Sequence, residues 1–243
     1  MPLIRHENEN ARKIADLEAD FITDPAEMPP AVARYFRERE EWLTPEVCER
    51  WGMGYLPRDG RSMLRGWIVY AHRNEEGEVL TYSGRDAGFA EKHAKWIRNG
   101  RPEKQKPLKH KYVKGYQRGL ELYGQQHGRL QDTEFKRSLK DRGLVVVEGM
   151  NDVIRLDTLG IAAIGLCSNK ATDEQVAKIV RYAERAAKGR VTLLPDRDQE
   201  GVAGFQPLAW KLMQSGLDVR LGWRDSNIDG IQPESADVST LRL

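Results

Sequence analysis

The chain has 243 residues, of which 40% are hydrophobic and 31% charged, with a formal net charge of +2. This length suits one large domain or two small ones, and the absence of a long apolar run excludes a protein that spans the membrane by helices. Only two isolated cysteines occur, Cys48 and Cys167, which excludes a disulfide framework and a cysteine-rich zinc site. The amino terminus carries no secretion signal, so we expect a cytoplasmic protein.

Residues 1–40 are predicted to form a helical, polar amino-terminal arm, because apolar side chains recur at helical spacing from Ala11 to Phe21. A further helix is indicated shortly after this arm. Thr44 is a good N-cap for it, and Gly52 suits its carboxyl end.

Residues 41–130 are predicted to form a basic α+β subdomain. Two runs rich in β-formers, 67–70 and 79–82, flank a polar turn with a glycine and predict a β-hairpin. The segment from Lys92 to Arg118, here called the cationic strip, holds ten Lys or Arg and one acid, Glu103. Such a segment favours contact with nucleic acid, although it is also compatible with a solvated basic loop. Its aromatic residues are either core residues or stacking partners for single-stranded bases, namely Trp96, Tyr112 and Tyr116.

Residues 141–243 alternate regularly between apolar strands and amphipathic helices. Strands are predicted at 144–149, 161–166, 190–196 and 217–223, with a helix in each interval between them. This order is typical of an α/β domain with a mainly parallel, Rossmann-like sheet covered by helices on both faces.

Acidic side chains follow two of these predicted strands. Glu148 and Asp196 come at strand ends, and Asp152 and Asp198 follow within a few residues. Ligands of parallel α/β sheets bind at the carboxyl ends of the strands, and clustered carboxylates repel one another unless a cation neutralises them. Hard oxygen donors favour Mg²⁺ or Mn²⁺. The alternative is that each acid merely caps a helix N-terminus.

These acidic motifs resemble a known family. VVVEGMND and LLPDRDQEG are similar to the first two motifs of the TOPRIM fold, which is shared by bacterial DnaG-type primases, topoisomerases and some nucleases. Upstream, LTPEVCERWGMGYLP, GEVLTYSGRDAG and KHKYVKGYQRGLELYG resemble the amino-terminal catalytic subdomain of primases, which the other TOPRIM proteins lack. The segment ADVSTL resembles the third acidic motif, with Asp237 in place and Ser239 where a second Asp is usual. The resemblance covers about residues 35–223.

The resemblance implies a DNA-dependent RNA primase, a nucleotidyltransferase that makes short RNA primers from NTPs on single-stranded DNA during replication. It implies Glu148, Asp196 and Asp198 as catalytic residues, with Glu148 acting either as a metal ligand or as a general base. For Mg²⁺ or Mn²⁺ it implies the ligands Glu148, Asp152, Asp196, Asp198 and Asp237. For nucleotide or DNA it implies Arg65, Arg85, Lys109, Lys111, Lys114 and Arg118.

Two other functions stay open from the sequence. A TOPRIM nuclease would use the same carboxylates to cleave nucleic acid, and a non-catalytic primase remnant would only bind it. The length suits a compact primase of a mobile element or a trimmed catalytic fragment. For a primase of either kind we expect a replicative helicase or a separate zinc-binding module as a protein partner.

Overall fold

The computed structural model describes residues 17–38, 42–59, 62–196 and 199–222, and only the backbone of residues 199, 200 and 202. These residues fall into two compact units. In its described parts, the first unit comprises residues 17–72 and 79–116, and the second comprises Arg73–Glu78 and residues 117–222. The division at 41–130 and 141–243 stays a prediction.

The start of the first unit differs from the predicted helical arm. Glu18–Asp20 is a 3-10 turn, and Ile22 forms an isolated antiparallel bridge with Tyr55. A side chain at Gly54 would place its Cβ 2.6 Å from the Cβ of Phe21, so this glycine lets the extended segment lie close to the sheet. Among the described residues, the first α-helix, α1, begins at Pro30. The apolar spacing therefore reflects packing against a sheet, and the helical interpretation of residues 17–22 was wrong.

The first unit contains α1 (Pro30–Arg37), α2 (Pro45–Trp51) and a four-stranded sheet in the order β1-β2-β3-β4. Thr44 caps α2 by accepting from the Val47 N–H, and Gly52 ends it in the left-handed region (φ 59°), as predicted. The predicted hairpin is formed by neighbouring strands β2 and β3. The strands are β1 (Met53–Tyr55), β2 (Ile68–Arg73), β3 (Val79–Arg85) and β4 (His110–Tyr112).

The cationic strip is partly regular structure. Its first part lies in helix α3 (Phe89–Arg98), and its later part contributes β4, which pairs antiparallel with β3. Helix α3 was not predicted, because the segment was interpreted from its positive charge, although Phe89, His93 and Trp96 recur in it at helical spacing; none of its side chains is buried.

A buried histidine lies in the core of the first unit. His72 is 3% exposed; its Nε2 lies 2.8 Å from the Ser83 hydroxyl and its Nδ1 lies 3.3 Å from the Tyr116 hydroxyl. The rings of Tyr112 and Tyr116 pack beside it, with centroid distances of 6.0 and 5.2 Å. Burial lowers the pKa of His72 from 6.5 to about 3, so its imidazole is neutral in the folded protein.

We expect acid to destabilise the protein through His72. In the unfolded chain His72 is protonated below about pH 6.5, whereas in the folded protein it stays neutral down to about pH 3. The free energy of unfolding therefore falls as the pH drops through this window. The expected loss between about pH 7.5 and about pH 5 is roughly 2 kcal/mol. Urea unfolding at both pH values measures it. His72→Asn should reduce this pH-dependent loss, whereas His127→Asn should keep it; an unchanged loss in the His72 variant would contradict the assignment.

The second unit carries a four-stranded sheet in the order β6-β5-β7-β8, in which every neighbouring pair is parallel. The predicted α/β class with a mainly parallel sheet is therefore confirmed. The strands are β5 (Leu144–Val147), β6 (Ala163–Gly165), β7 (Arg190–Leu194) and β8 (Asp218–Leu221). The helices are α4 (Thr133–Arg142), α5 (Met150–Thr158), α6 (Asp173–Ala186) and α7 (Gln199–Gln214).

Helices cover both faces of this sheet. In the order β6-β5-β7-β8, the connection through α5 leads from β5 toward the β6 edge of the sheet. The connections through α6 and α7 lead in the opposite direction, toward the β8 edge. Because such crossovers are right-handed, α5 lies on one face and α6 and α7 on the other. A core cluster joins α4, α6 and α7 to alternate residues of the strands, such as Leu144 and Val146 of β5.

Helix α4 is a second element that the sequence did not reveal. Its segment is strongly charged, and it buries only Phe135, Ser138 and Leu139. The Asp132 side chain caps it by accepting from the Phe135 N–H at 2.7 Å.

Within the described ranges, no helix is long and apolar enough to cross a bilayer.

Candidate active site and nucleic-acid contacts

The strand register brings two acidic strand ends together. In the register of the sheet, Val147 of β5 pairs with Leu194 of β7 on one side and with Gly165 of β6 on the other. Glu148 directly follows β5, and Asp196 follows β7 by two residues. Both acids therefore lie at the carboxyl edge of neighbouring parallel strands, as the sequence predicted.

Glu148 is held against the backbone of the adjacent strand end. Its Oε1 accepts a hydrogen bond from the Asp196 N–H at 3.1 Å. At Gly201, in the first turns of α7, an added Cβ would lie 2.5 Å from Glu148 Oε1 and 2.5 Å from the Asp196 carbonyl oxygen. Only glycine fits there, so the Gly of the DRDQEG segment allows the start of α7 to pack directly on both acids.

Of the other predicted acidic ligands, only Asp152 lies among the described residues. Asp152 lies in the first turn of α5, is 5% exposed, and places Oδ2 against the backbone of Gly149. Asp198 and Asp237 lie outside the described residues. Among the residues that the structure does describe, no three His, Cys, Asp or Glu side chains are grouped so that they could hold a metal ion.

The residues present fit a magnesium-type cation. Glu148 and Asp196 carry carboxylates at adjacent strand ends; the Glu148 carboxylate accepts a hydrogen bond from the Asp196 backbone N–H, and Gly201 packs against Glu148 Oε1 and the Asp196 carbonyl. Mg²⁺ commonly takes one or two protein carboxylates and keeps waters or substrate phosphates as its remaining ligands. The five-residue ligand set of the sequence stays a prediction.

Arg118 also lies at this edge of the second unit. It begins the 3-10 turn Arg118–Leu120, and its Nη1 donates to the Cys167 carbonyl at 3.2 Å. Cys167 follows β6, the other neighbour of β5, and adopts a left-handed conformation with φ of 55°. The guanidinium of Arg118 is thus anchored at a strand end adjacent to that of Glu148.

Two residues at the start of α6 clamp the turn that carries Arg118. The Thr172 hydroxyl donates to the Gly119 carbonyl at 2.5 Å, and Thr172 and Gln175 form a capping box. Gln175 is 1% exposed. Its amide donates to three backbone carbonyls, those of Arg118 (3.3 Å), Glu121 (2.8 Å) and Leu166 (3.0 Å). Gln175 was not among the predicted functional residues, although its spacing of three from Thr172 is a capping signal.

The remaining predicted binding residues lie in the first unit: Arg65, Arg85, Lys109, Lys111 and Lys114. Arg85 is half-buried and donates to His110 Nε2 at 3.3 Å, while Lys111 donates to the Met63 carbonyl at 2.8 Å. In the β3–β4 pairing Gly84 lies opposite Lys111 and Arg85 opposite His110, so the side chains of Arg85 and Lys111 point to opposite faces of the sheet. Arg65, Lys109 and Lys114 are exposed.

The two cysteines are poor nucleophiles. Cys48 is buried and Cys167 half-buried, and burial raises the pKa of both thiols to about 12. Both are therefore protonated at neutral pH.

The fold is that of the catalytic domain of DnaG-type primases. No family model and no curated protein matches the sequence. A DnaG primase catalytic domain bound to single-stranded DNA matches 90% of this chain and 71% of its own, with a TM-score of 0.60 and 18% identity. The Aquifex aeolicus primase, comprising zinc-binding and RNA polymerase domains, matches with a TM-score of 0.60 and 16% identity over 92% of this chain. The RNA polymerase domain of Mycobacterium tuberculosis DnaG matches 92% of this chain and 75% of its own, with a TM-score of 0.58 and 18% identity.

At these identities the likeness establishes the fold, and the predicted resemblance to the DnaG catalytic core is confirmed at that level. The chain spans only 58% of the Aquifex aeolicus protein.

Proposed function

We propose that this protein is a primase-type nucleotidyltransferase that makes short RNA primers on single-stranded DNA. The observation that carries the proposal is the pair of acidic strand ends, Glu148 and Asp196, hydrogen-bonded at the carboxyl edge of a parallel sheet within a DnaG catalytic-domain fold. Two structural neighbours support a DNA ligand, one bound to single-stranded DNA and the other to double-stranded DNA.

In the proposed reaction a nucleotide 3′-hydroxyl attacks the α-phosphorus of an incoming NTP. The new O–P bond forms as the bond to pyrophosphate breaks, and the hydroxyl proton is lost to solvent or a carboxylate. Glu148, Asp196 and Asp198 would hold Mg²⁺ or Mn²⁺, with Asp152 and Asp237 as further candidates. When bound, the ion supplies neutralisation of triphosphate charge and acidification of the attacking hydroxyl.

The cationic residues of the chain would hold the anionic substrates. Arg118 is proposed to bind NTP phosphates, because its planar guanidinium suits bidentate contacts with phosphate oxygens and lies at the edge that carries Glu148. For template or nucleotide we propose Arg65, Arg85, Lys109, Lys111 and Lys114. DNA affinity should then fall as salt rises, because phosphate contacts release counterions. A helicase or a separate zinc-binding module as partner, and a cytoplasmic location, stay predictions.

A primer-synthesis assay tests this function. The native chain, Asp196→Ala and a control, Asp141→Ala, are incubated with labelled NTPs and single-stranded DNA in Mg²⁺, in Mn²⁺ and in EDTA. Asp141 is an exposed acid near the end of α4, away from the acidic strand ends in the fold of this unit. We expect oligoribonucleotides from the native chain and from the control with metal, and none from Asp196→Ala or in EDTA.

Other outcomes would favour the other candidates. DNA cleavage that needs metal but no NTP, and that disappears in Asp196→Ala, would indicate a nuclease. DNA binding without product or cleavage, unchanged in Asp196→Ala, would indicate a non-catalytic binding protein. Absence of product from the native chain under both metals would contradict primer synthesis by this chain acting alone.

A further inference from the structure

A cavity lies in the second unit between helix α6 and the 3-10 turn His127–Gln131. Its volume is about 120 Å³, and Leu130, Tyr182 and Ala186 form apolar walls. We call it the α6 cavity. The His127 ring also lines it and lies beside the Tyr182 ring, with 6.3 Å between the two centroids. A cavity of about 150 Å³ can hold benzene, so the α6 cavity has room for an apolar group of at most about six carbon atoms.

Three charged side chains also line the α6 cavity, namely Arg181, Arg185 and Glu75. The two arginines are four residues apart and therefore share one side of the helix. Glu75 pairs with Arg181 at 3.4 Å, whereas Arg185 is exposed and makes no ion pair within the described part of the chain. The nearest further acids along the chain, Glu76 and Glu184, do not line the cavity. The lining thus carries one positive charge in excess, which suits a ligand with a single negative charge.

Tyr182 contributes a hydroxyl to this site that packing alone does not explain. The residue is 5% exposed, and its buried hydroxyl has no hydrogen-bond partner among the described residues. Burial raises the pKa of Tyr182 to about 12, and the charges of Arg129, Arg185 and Glu75 act on it as well. The hydroxyl is therefore protonated and lies near two of the charged residues that line the cavity. A buried donor without an acceptor destabilises a fold, and a phenylalanine ring would pack equally well, so the hydroxyl indicates an acceptor on a ligand.

We infer that the α6 cavity binds a small apolar carboxylate, whose hydrocarbon part fills the cavity while its carboxylate pairs with Arg185 and accepts a hydrogen bond from the Tyr182 hydroxyl. A planar guanidinium suits a carboxylate, with which it can form two parallel hydrogen bonds. Apolar walls disfavour an ion that has to shed its water on all sides, such as inorganic phosphate.

The α6 cavity is separate from the acidic strand ends. Helix α6 begins beyond the carboxyl end of β6 and leads back to the start of β7, so its last turns lie toward the amino edge of the sheet. Glu148 and Asp196 lie at the carboxyl edge. The inference therefore goes beyond the proposed function and does not rest on it.

Two probes of the same shape test the site in the full chain, without metal, NTP or DNA. Benzoate and benzamide share one ring, but only benzoate is charged. Saturation-transfer NMR titrations should give a dissociation constant on the order of 1 mM for benzoate, as suits a ligand of about nine non-hydrogen atoms. Benzamide should bind at least about fivefold more weakly, because its hydrogen bonds to Arg185 are made by a neutral group. Inorganic phosphate should not displace benzoate.

Two arginine variants test the charge. Arg185→Gln should weaken benzoate binding about five- to tenfold and leave benzamide binding nearly unchanged, since only the charged contact is lost. The matched control is Arg142→Gln, which removes an exposed arginine from the end of α4 that does not line the cavity. It should bind both probes like the native chain.

Two further variants test the cavity and the hydroxyl. Ala186→Leu places a larger side chain in the cavity and should abolish binding of both probes. Tyr182→Phe should weaken benzoate binding about three- to tenfold while the midpoint of urea unfolding stays the same or rises. A hydroxyl that served only the fold would give the opposite pair of results. If Ala186→Leu does not fold, Arg185→Gln still tests the site, because it changes only an exposed side chain.

Several results would overturn the inference. These are no saturable binding of benzoate by the native chain, equal affinity for benzoate and benzamide, or displacement of benzoate by phosphate. Native benzoate affinity in Arg185→Gln, equal losses in Arg185→Gln and Arg142→Gln, or full binding by a folded Ala186→Leu variant would also overturn it. So would a Tyr182→Phe variant that is less stable but binds benzoate like the native chain.

Discussion

Glu148→Gln is expected to reduce primer synthesis by at least about 100-fold, because a charged oxygen ligand is lost while the local structure is kept. The Gln side chain retains an oxygen that can accept the Asp196 N–H bond now made by Glu148 Oε1 at 3.1 Å. It has no negative charge with which to hold a divalent cation. The loss should therefore appear in the rate and in the metal concentration needed for half-maximal synthesis, with little change in stability.

The pair of variants Glu148→Gln and Glu148→Ala separates charge from structure. Glu148→Ala also removes the acceptor for the Asp196 N–H and leaves space beside Gly201, so it should lower the free energy of unfolding by about 1–2 kcal/mol as well as the rate. Urea unfolding and initial rates of nucleotide incorporation measure the two effects, with Asp141→Asn as the control. Native synthesis by Glu148→Gln would show that this carboxylate does not serve the reaction.

Gln175→Ala should lower the free energy of unfolding of the second unit by about 3 kcal/mol. The side chain is 1% exposed and gives its amide hydrogens to the carbonyls of Arg118, Glu121 and Leu166, all of which would lose a donor. Each buried polar group left without a partner costs about 1–3 kcal/mol, partly relieved here because carbonyls accept at more than one position. The midpoint of urea unfolding followed by circular dichroism measures the loss.

Two further variants show which bonds of Gln175 matter. Gln175→Glu keeps an oxygen for the Thr172 N–H of the capping box but removes the donors, so it should be destabilised at least as much as Gln175→Ala. Glu184→Ala, an exposed position on the same helix, should change stability by less than about 0.5 kcal/mol. If Gln175→Glu is as stable as the native chain, the three carbonyl bonds do not hold the Arg118 turn.

The strands of the second unit and the caps of α2 and α6 were predictable from the sequence. Apolar runs that follow a glycine mark β5 and β7, and a Thr at the N-cap marks the start of each of the two helices. These are local signals, because they depend on residues within one or two turns. Helices α3 and α4 were not predicted, because both segments are rich in charged residues and bury few or no side chains, although α3 does carry apolar residues at helical spacing.

The sequence by itself determined the α/β order of the second unit and the position of Glu148 and Asp196 at strand ends, because both follow from local periodicity. Only the tertiary structure decided which side chains meet. Glu148 and Asp196 are 48 residues apart and are joined through the β5–β7 pairing, while Gln175 reaches carbonyls up to 57 residues away. The tertiary structure also buries Asp152 against Gly149 and stacks the rings of Phe89 and His93 on the surface of α3. Such contacts depend on strand register and side-chain packing between distant segments, which no local pattern of residues encodes.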